Sequence, residues 1–292
     1  MSPAALGHLA MLAFSALVAG SFSLGVLAAP HIDPALLSAW RFALSAVFLA
    51  GLAWISGAPV RKAARRAPWR WLVLGALMAA YFTLMFEGLK LAPAVQTAAV
   101  FTLTPVMAAG FGWLFLRQRT TPRMRVALAL GGAGALWVIF RGDISALLRF
   151  EIGRGEVIYF WGCACHAAYA ALVRKFNRGE SALTSTLLTM IAGALILTLW
   201  AAPSLRSTEL TALPGIVWVT LAYITIAATA TTLWLVQFAS LRLPAAKVMA
   251  YTYLVPSWVI LWELAMHGLW PSALVGFGVA LTCVALIMLL KD

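Results

Sequence analysis

The sequence predicts an all-α integral membrane protein: ten transmembrane helices forming two inverted five-helix repeats, with both termini cytoplasmic. Three observations carry this. Hydrophobic residues make up 63% of the 292 and charged residues only 10%, where a soluble domain carries about a quarter charged. Mean hydropathy is +0.95. The apolar residues run in blocks of about 20, the length that crosses a bilayer core, and lack the short alternation of a transmembrane β-barrel. Finally, one design occurs twice. Leu89–Trp113 and Leu241–Trp262 each open with Leu, a cation and Leu (Lys90, Arg242), then a proline (Pro93, Pro244), and carry a second proline mid-run (Pro105, Pro256). Nine residues before that second proline stand Gln96 and Lys247.

In chain order the expected spans are about 5–28, 35–56, 69–88, 93–115, 124–140, 156–175, 182–202, 214–239, 244–265 and 270–290. Prolines mark several starts (Pro34, Pro93, Pro122, Pro203, Pro214, Pro244, Pro271), where the missing N–H costs nothing. Met1–Ala29 is read as a retained first helix, since no Lys or Arg precedes its apolar run. The chain reads as one transmembrane domain, 1–292, with repeats 1–146 and 150–292.

Alternate loops set the orientation. Arg61, Lys62, Arg65, Arg66, Arg70, Arg117, Arg119, Arg123, Arg125, Arg174, Lys175, Arg178, Arg242, Lys247 and Lys291 fall on one side. The other side receives Lys90, Arg141, Arg149, Arg154 and Arg206. Cations concentrate in cytoplasmic loops, so the first side is cytoplasmic. The same placement explains the net charge of +12 without nucleic acid. Five spans per half make the second half enter from the opposite face, a hallmark of alternating-access transporters with a mid-membrane site. Gly131, Gly132, Gly134, Ala135, Gly276 and Gly278 give the last span of each half a surface for close helix contact, internal or between subunits. Cys163, Cys165 and Cys283 lie within apolar spans, and no second cluster completes a zinc site around Cys163, Cys165 and His166.

The Arg41-Phe42 pair in a proline-started second span, the two Leu-cation-Leu stretches and the Ala171–Lys175 exit resemble the drug/metabolite transporter superfamily, in its ten-helix EamA-type branch. Layout and aromatic content look most like its YddG-type exporters of aromatic amino acids. The resemblance implies an inner-membrane, multi-pass carrier of hydrophobic or aromatic amino acids, with no cofactor and lipid as its surroundings. It leaves oligomeric state open, a monomer included. Many relatives place Gly-Glu a dozen residues after each second proline; here those places read Arg117-Gln118 and Gly268-Leu269, so no role of that glutamate transfers.

Arg41 lies about 10 Å below the outer end of its span, where a charge costs roughly 2.5–3.5 kcal/mol. It is expected to pair with Glu87 or Glu263, near His267, in an outer gate. Trp54, Trp69, Trp71, Trp200 and Trp270 are expected at the interfaces. Tyr81, Phe101, Thr102, His166, Tyr169, Tyr251 and Tyr253 fall near mid-span, where a phenol needs a partner and favours a cavity over lipid. Lys247 either captures a carboxylate or snorkels to the surface; Gln96 matches it in the other repeat. No Asp or Glu lies deep in a span, and His166 is the one mid-span group titrating near neutrality, which favours facilitated export over proton coupling. Exporters of other metabolites or organic cations remain alternatives. An integral membrane enzyme would need paired acids, a His-Glu metal motif or an activated Ser, and none is visible.

Overall fold

The structure, a computed structural model, describes residues 2–149, 151–268 and 272–290, and these are helical with no strand among them. Leu269, Trp270, Pro271 and Lys291 lie outside the described residues. The long helices are α1 (Pro3–Ala28), α2 (Pro34–Ile55), α3 (Trp69–Leu89), α4 (Ala94–Leu116) and α5 (Pro122–Ile139). They continue with α6 (Arg154–Phe176), α7 (Ala182–Trp200), α8 (Gly215–Ser240), α9 (Ala245–His267) and α10 (Ala273–Leu290). Among the described residues, nine of these are long and apolar enough to cross a membrane. The exception is α5, the expected span 124–140, whose first turn carries Arg123 and Arg125. Local chemistry sets several starts. Asp33 accepts from Leu36 N at 2.9 Å ahead of Pro34, Thr121 from Met124 N ahead of Pro122, and Ser181 from Thr184 N.

Three long helices are interrupted. In α4 the ladder stops after Phe101, and Thr102 and Leu103 bond back to Ala99 and Val100 before a second segment, Thr104–Leu116, begins. Pro105 cannot donate to the Phe101 carbonyl, and the Thr104 hydroxyl donates to it instead. In α9 a 3₁₀ segment, Tyr251–Leu254, precedes Pro256. The two breaks touch: the Thr104 and Thr252 hydroxyls lie 3.0 Å apart. In α8 the interruption is a π-helical segment, Ile226–Thr231.

Glycines allow the close crossings. α5 and α10 pack along each other, and a Cβ on Gly134 would stand 2.7 Å from the Gly278 carbonyl oxygen. This contact is internal to the chain. α3 lies along α6, with Gly88 and Gly155 backbone to backbone, and α7 packs on α2 and α3 through Gly75 and Gly193. At one end of the bundle the basic loops converge: Lys62, Arg66 and Arg178 line one depression, and Arg119 and Arg174 another. Here the buried Arg70 pairs with Glu180 at 2.8 Å and donates to the Arg66 and Phe176 carbonyls. Burial pushes the Glu180 carboxyl up, but hydrogen bonds from Arg70 and from the Arg178 backbone outweigh it and hold the group below its ordinary value.

The segments after Pro105 and Pro256 end alike, on left-handed residues: Arg117 at φ 53° and Gly268 at φ 67°. A left-handed cap suits glycine, since a Cβ there meets the following carbonyl. Arg117→Gly should therefore stabilise the protein by about 0.5–1 kcal/mol, the relieved strain exceeding the added freedom of the unfolded chain. Thermal unfolding in detergent checks this. A lower midpoint for Arg117→Gly would mean that the arginine side chain makes a compensating contact.

Candidate functional site

The centre of the bundle is a set of aromatic rings. Tyr81 from α3, Phe101 from the end of the first α4 segment, and His166 and Tyr159 from α6 are each at most 1% exposed. Their order follows from helix period: Tyr159 and His166, seven residues apart, share one face of α6. The His166 ring stacks on Tyr81 at 4.5 Å between centroids and on Phe101 at 5.3 Å. Phe14 and Phe22 of α1 close the cluster against Phe101, and the Tyr159 hydroxyl donates to that of Tyr81 at 3.3 Å. Imidazole Nδ1 of His166 is buried without a hydrogen-bond partner. Tyr81, Phe101 and His166, expected to line a cavity, instead stack on one another and close the centre between them. Sizeable depressions lie elsewhere. One of 770 Å³ runs between α4 and α5 past Val106, Trp113 and Gly132, and one of 810 Å³ lies at the end holding Arg141, Asp143 and Glu151.

Beside the cluster sits Arg41, fully buried. Its guanidinium lies over the Phe82 ring at 3.8 Å, and Phe82 in turn contacts Tyr81 at 4.5 Å. Nε donates to Thr229 Oγ1 at 2.8 Å and Nη2 to the same oxygen and to the Ala228 carbonyl. Both acceptors belong to the π-helical segment of α8. The expected outer pairing with Glu87 or Glu263 is corrected. Glu87 sits one turn from the end of α3 beside Lys90 at 3.6 Å, and Glu263 bonds His267 at 3.3 Å. Both acids stay near helix ends, where water reaches them, while Arg41 is too deep to follow.

The remaining candidates are distributed rather than convergent. Tyr169 is buried, and its hydroxyl accepts from Gln237 Nε2 of α8 at 2.7 Å. The Thr102 hydroxyl is spent on the Ala99 carbonyl at 2.6 Å. Tyr251 meets His8 Nδ1 of α1 at 3.2 Å. Lys247, half-buried one turn earlier, stands near the same His8. Gln96 is half-buried with Oε1 unpartnered. Tyr253 faces away from the cluster: its ring fills the place where Gly131 has no side chain, and its carbonyl accepts from Thr282 of α10. Sequence reasoning missed Tyr159, Phe14, Phe22 and Thr229. The legible signal for Thr229 was the Thr- and Ala-rich run Ile224–Thr232, in which β-branched residues weaken an α-helix.

Thr229→Val should leave Nε of Arg41 without an acceptor and Nη2 with the Ala228 carbonyl alone. Losing a hydrogen bond to a charged group costs about 1.5–3 kcal/mol. A clear drop in the thermal midpoint is expected, with Thr229→Ser close to wild type. Equal midpoints for Val and Ser would show that Thr229 does not hold Arg41.

Comparison with known proteins bears on this geometry. The sequence model of the EamA-like transporter family matches twice, over residues 5–140 and 153–291. An uncharacterised transporter, YyaM, of Bacillus subtilis (strain 168) is 26% identical over 217 residues, which is 74% of this chain and 71% of that protein. A protein of known crystal structure superposes with a TM-score of 0.73 at 18% identity, covering 99% of this chain and 97% of that one. At that identity the likeness shows the fold alone.

Proposed function

The chain belongs to the EamA-like transporter family, a multi-pass membrane protein and not by its family an enzyme, and from that premise we propose that it exports aromatic or other hydrophobic amino acids by alternating access. The observation that carries this reading is the stack of Tyr81, His166 and Phe101 at the bundle centre, built from α3, α4 and α6. Such faces suit an apolar, planar side chain, and each ring pair is worth about 0.5–1.5 kcal/mol beyond its area. Organic cations are disfavoured. Among the described residues, the buried carboxylates are Glu180, paired with Arg70, and Glu156, in the first turn of α6, whose carboxylate turns back towards Gly153. A phosphorylated substrate would call for several convergent cations, and at this depth there is Arg41. On this reading the closed centre is an occluded state, and Tyr169, Tyr251, Lys247 and Gln96 lie along the access path. The carrier resides in the inner (plasma) membrane.

The architecture supports the same mechanism. Each half is matched by the same family model, the proline-linked breaks in α4 and α9 abut through Thr104 and Thr252, and α5 and α10 pair along their length. We read this as two inverted five-helix repeats, with α5 as the tenth span and the basic loops facing the cytoplasm. An impermeant thiol reagent applied to intact cells should leave a cysteine placed at Ala64 unlabelled. Strong labelling would reverse the orientation.

The substrate is tested by flux into liposomes of tryptophan against alanine, for wild type and Tyr81→Leu at matched incorporation. Leucine keeps the bulk and removes the aromatic face, so tryptophan flux should fall several-fold while any alanine flux is unchanged. No flux of any amino acid by the wild type would end this reading.

A further inference from the structure

The central cation has more donors than the protein answers. Thr229 and Ala228 take Nε and Nη2 of Arg41, and Phe82 covers one face, but Nη1 is buried with no hydrogen-bond partner. Among the described residues no carboxylate forms an ion pair with Arg41. A guanidinium edge held in hydrocarbon and left open is costly, so its persistence asks for an anionic partner that arrives from outside. The surroundings suit one. The Tyr81 and Tyr159 phenols lie within electrostatic reach of Arg41, and both can donate to an oxyanion. Phe82, on the guanidinium, leads directly to Tyr81 and so to His166 and Phe101.

We infer that Arg41 is the receptor for the substrate's carboxylate, and that the site takes aromatic monocarboxylates whether or not they carry an amino group. The inference rests on the transporter reading above and deepens it. Nη1 donates to one carboxylate oxygen, a phenol answers the other, and the apolar part lies along Tyr81, His166 and Phe101. Among the described residues the acid nearest along α6, Glu156, turns its carboxylate back to Gly153 and not to the rings, so the amine contributes little to recognition, and a monoanion neutralises Arg41 where a zwitterion leaves its ammonium uncompensated. This displaces Lys247 as the carboxylate ligand: it is half-exposed in the first turn of α9, beside His8 and away from the rings.

The experiment measures binding to the purified full-length protein in detergent by thermal shift and equilibrium titration. The probes are tryptophan, indole-3-acetate, tryptophanamide and tryptamine. Tryptophan and indole-3-acetate should both stabilise the wild type, and the two probes without a carboxylate should bind at least tenfold more weakly. Arg41→Gln should lose the difference, and Arg41→Lys, which keeps the charge on a compact ammonium, should retain part of it. If Arg41→Gln does not fold, the four-probe comparison on wild type and Arg41→Lys decides. Tryptophanamide binding as well as tryptophan would overturn the inference. So would indole-3-acetate failing where tryptophan binds, or Arg41→Gln keeping wild-type affinity for tryptophan. Liposome flux separates this from the broader reading. Carboxylates that bind through Arg41 but no amino acid carried would sink export and leave the site standing. Tryptophan carried equally by wild type and Arg41→Gln would do the reverse.

Discussion

A cation held inside an apolar bundle needs neighbours that accept from its donors, and the irregular turn of α8 lies where Arg41 has that need. A regular α-helix spends every mid-helix carbonyl on its own ladder and has none to offer. The π-helical segment Ile226–Thr231 widens α8 by a residue. Carbonyls in and beside it also accept from side chains: Thr225 O from Ser45, Ile226 O from Thr231, and Ala228 O from both Arg41 and Thr232. The Thr229 hydroxyl, left free of the ladder, becomes the main acceptor for Arg41. The irregular turn is thus the complement of the charge, in line with the tendency of π-bulges to occur at functional sites.

The proline breaks follow the same rule of full satisfaction without a charge. Pro105 removes the donor for Phe101 O, and the adjacent Thr104 hydroxyl supplies one. Because the break sits where α4 and α9 meet, the two interrupted helices contact through Thr104 and Thr252, and the Phe101 ring projects from the last residue before the turn. The sequence places a ring at a point where the helix axis is already free to bend. Bending at that break would move Phe101 relative to His166 and Tyr81, since the Phe101 carbonyl is already bonded by the Thr104 hydroxyl and not by the ladder.

Helix positions were legible from the sequence because hydropathy, charged loops and proline starts are local signals: the expected 69–88 and 156–175 are Trp69–Leu89 and Arg154–Phe176. The stacking of Tyr81 with His166 was partly legible, since mid-span phenols and imidazoles must face protein. Three things were not. The partner of Arg41 is a hydroxyl 188 residues away on a segment whose π geometry no periodicity announces. Tyr253 was grouped with Tyr251 by depth alone, yet two residues along a helix point to nearly opposite sides, and Tyr253 meets Gly131 instead. Glu87 and Glu263 were assigned by depth alone, and a carboxylate near a helix end finds a closer neighbour in Lys90 or His267 than in a residue two turns deeper.

A ring-filled centre has a consequence for how such a carrier works. Alternating conformations must lie within a few kcal/mol of each other for both to be populated. A core of interlocked branched side chains resists opening, since each leaves a void of its own shape. Flat rings differ, because a substrate ring can replace a protein ring against the same face at similar energy. If Phe82 leaves the guanidinium of Arg41 as a carboxylate arrives, a cation–π contact is exchanged for a charge-assisted hydrogen bond, which is stronger. On the proposed reading, that difference, realised only when a ligand brings both a carboxylate and an aromatic face, would be the differential interaction that biases an open state towards closure.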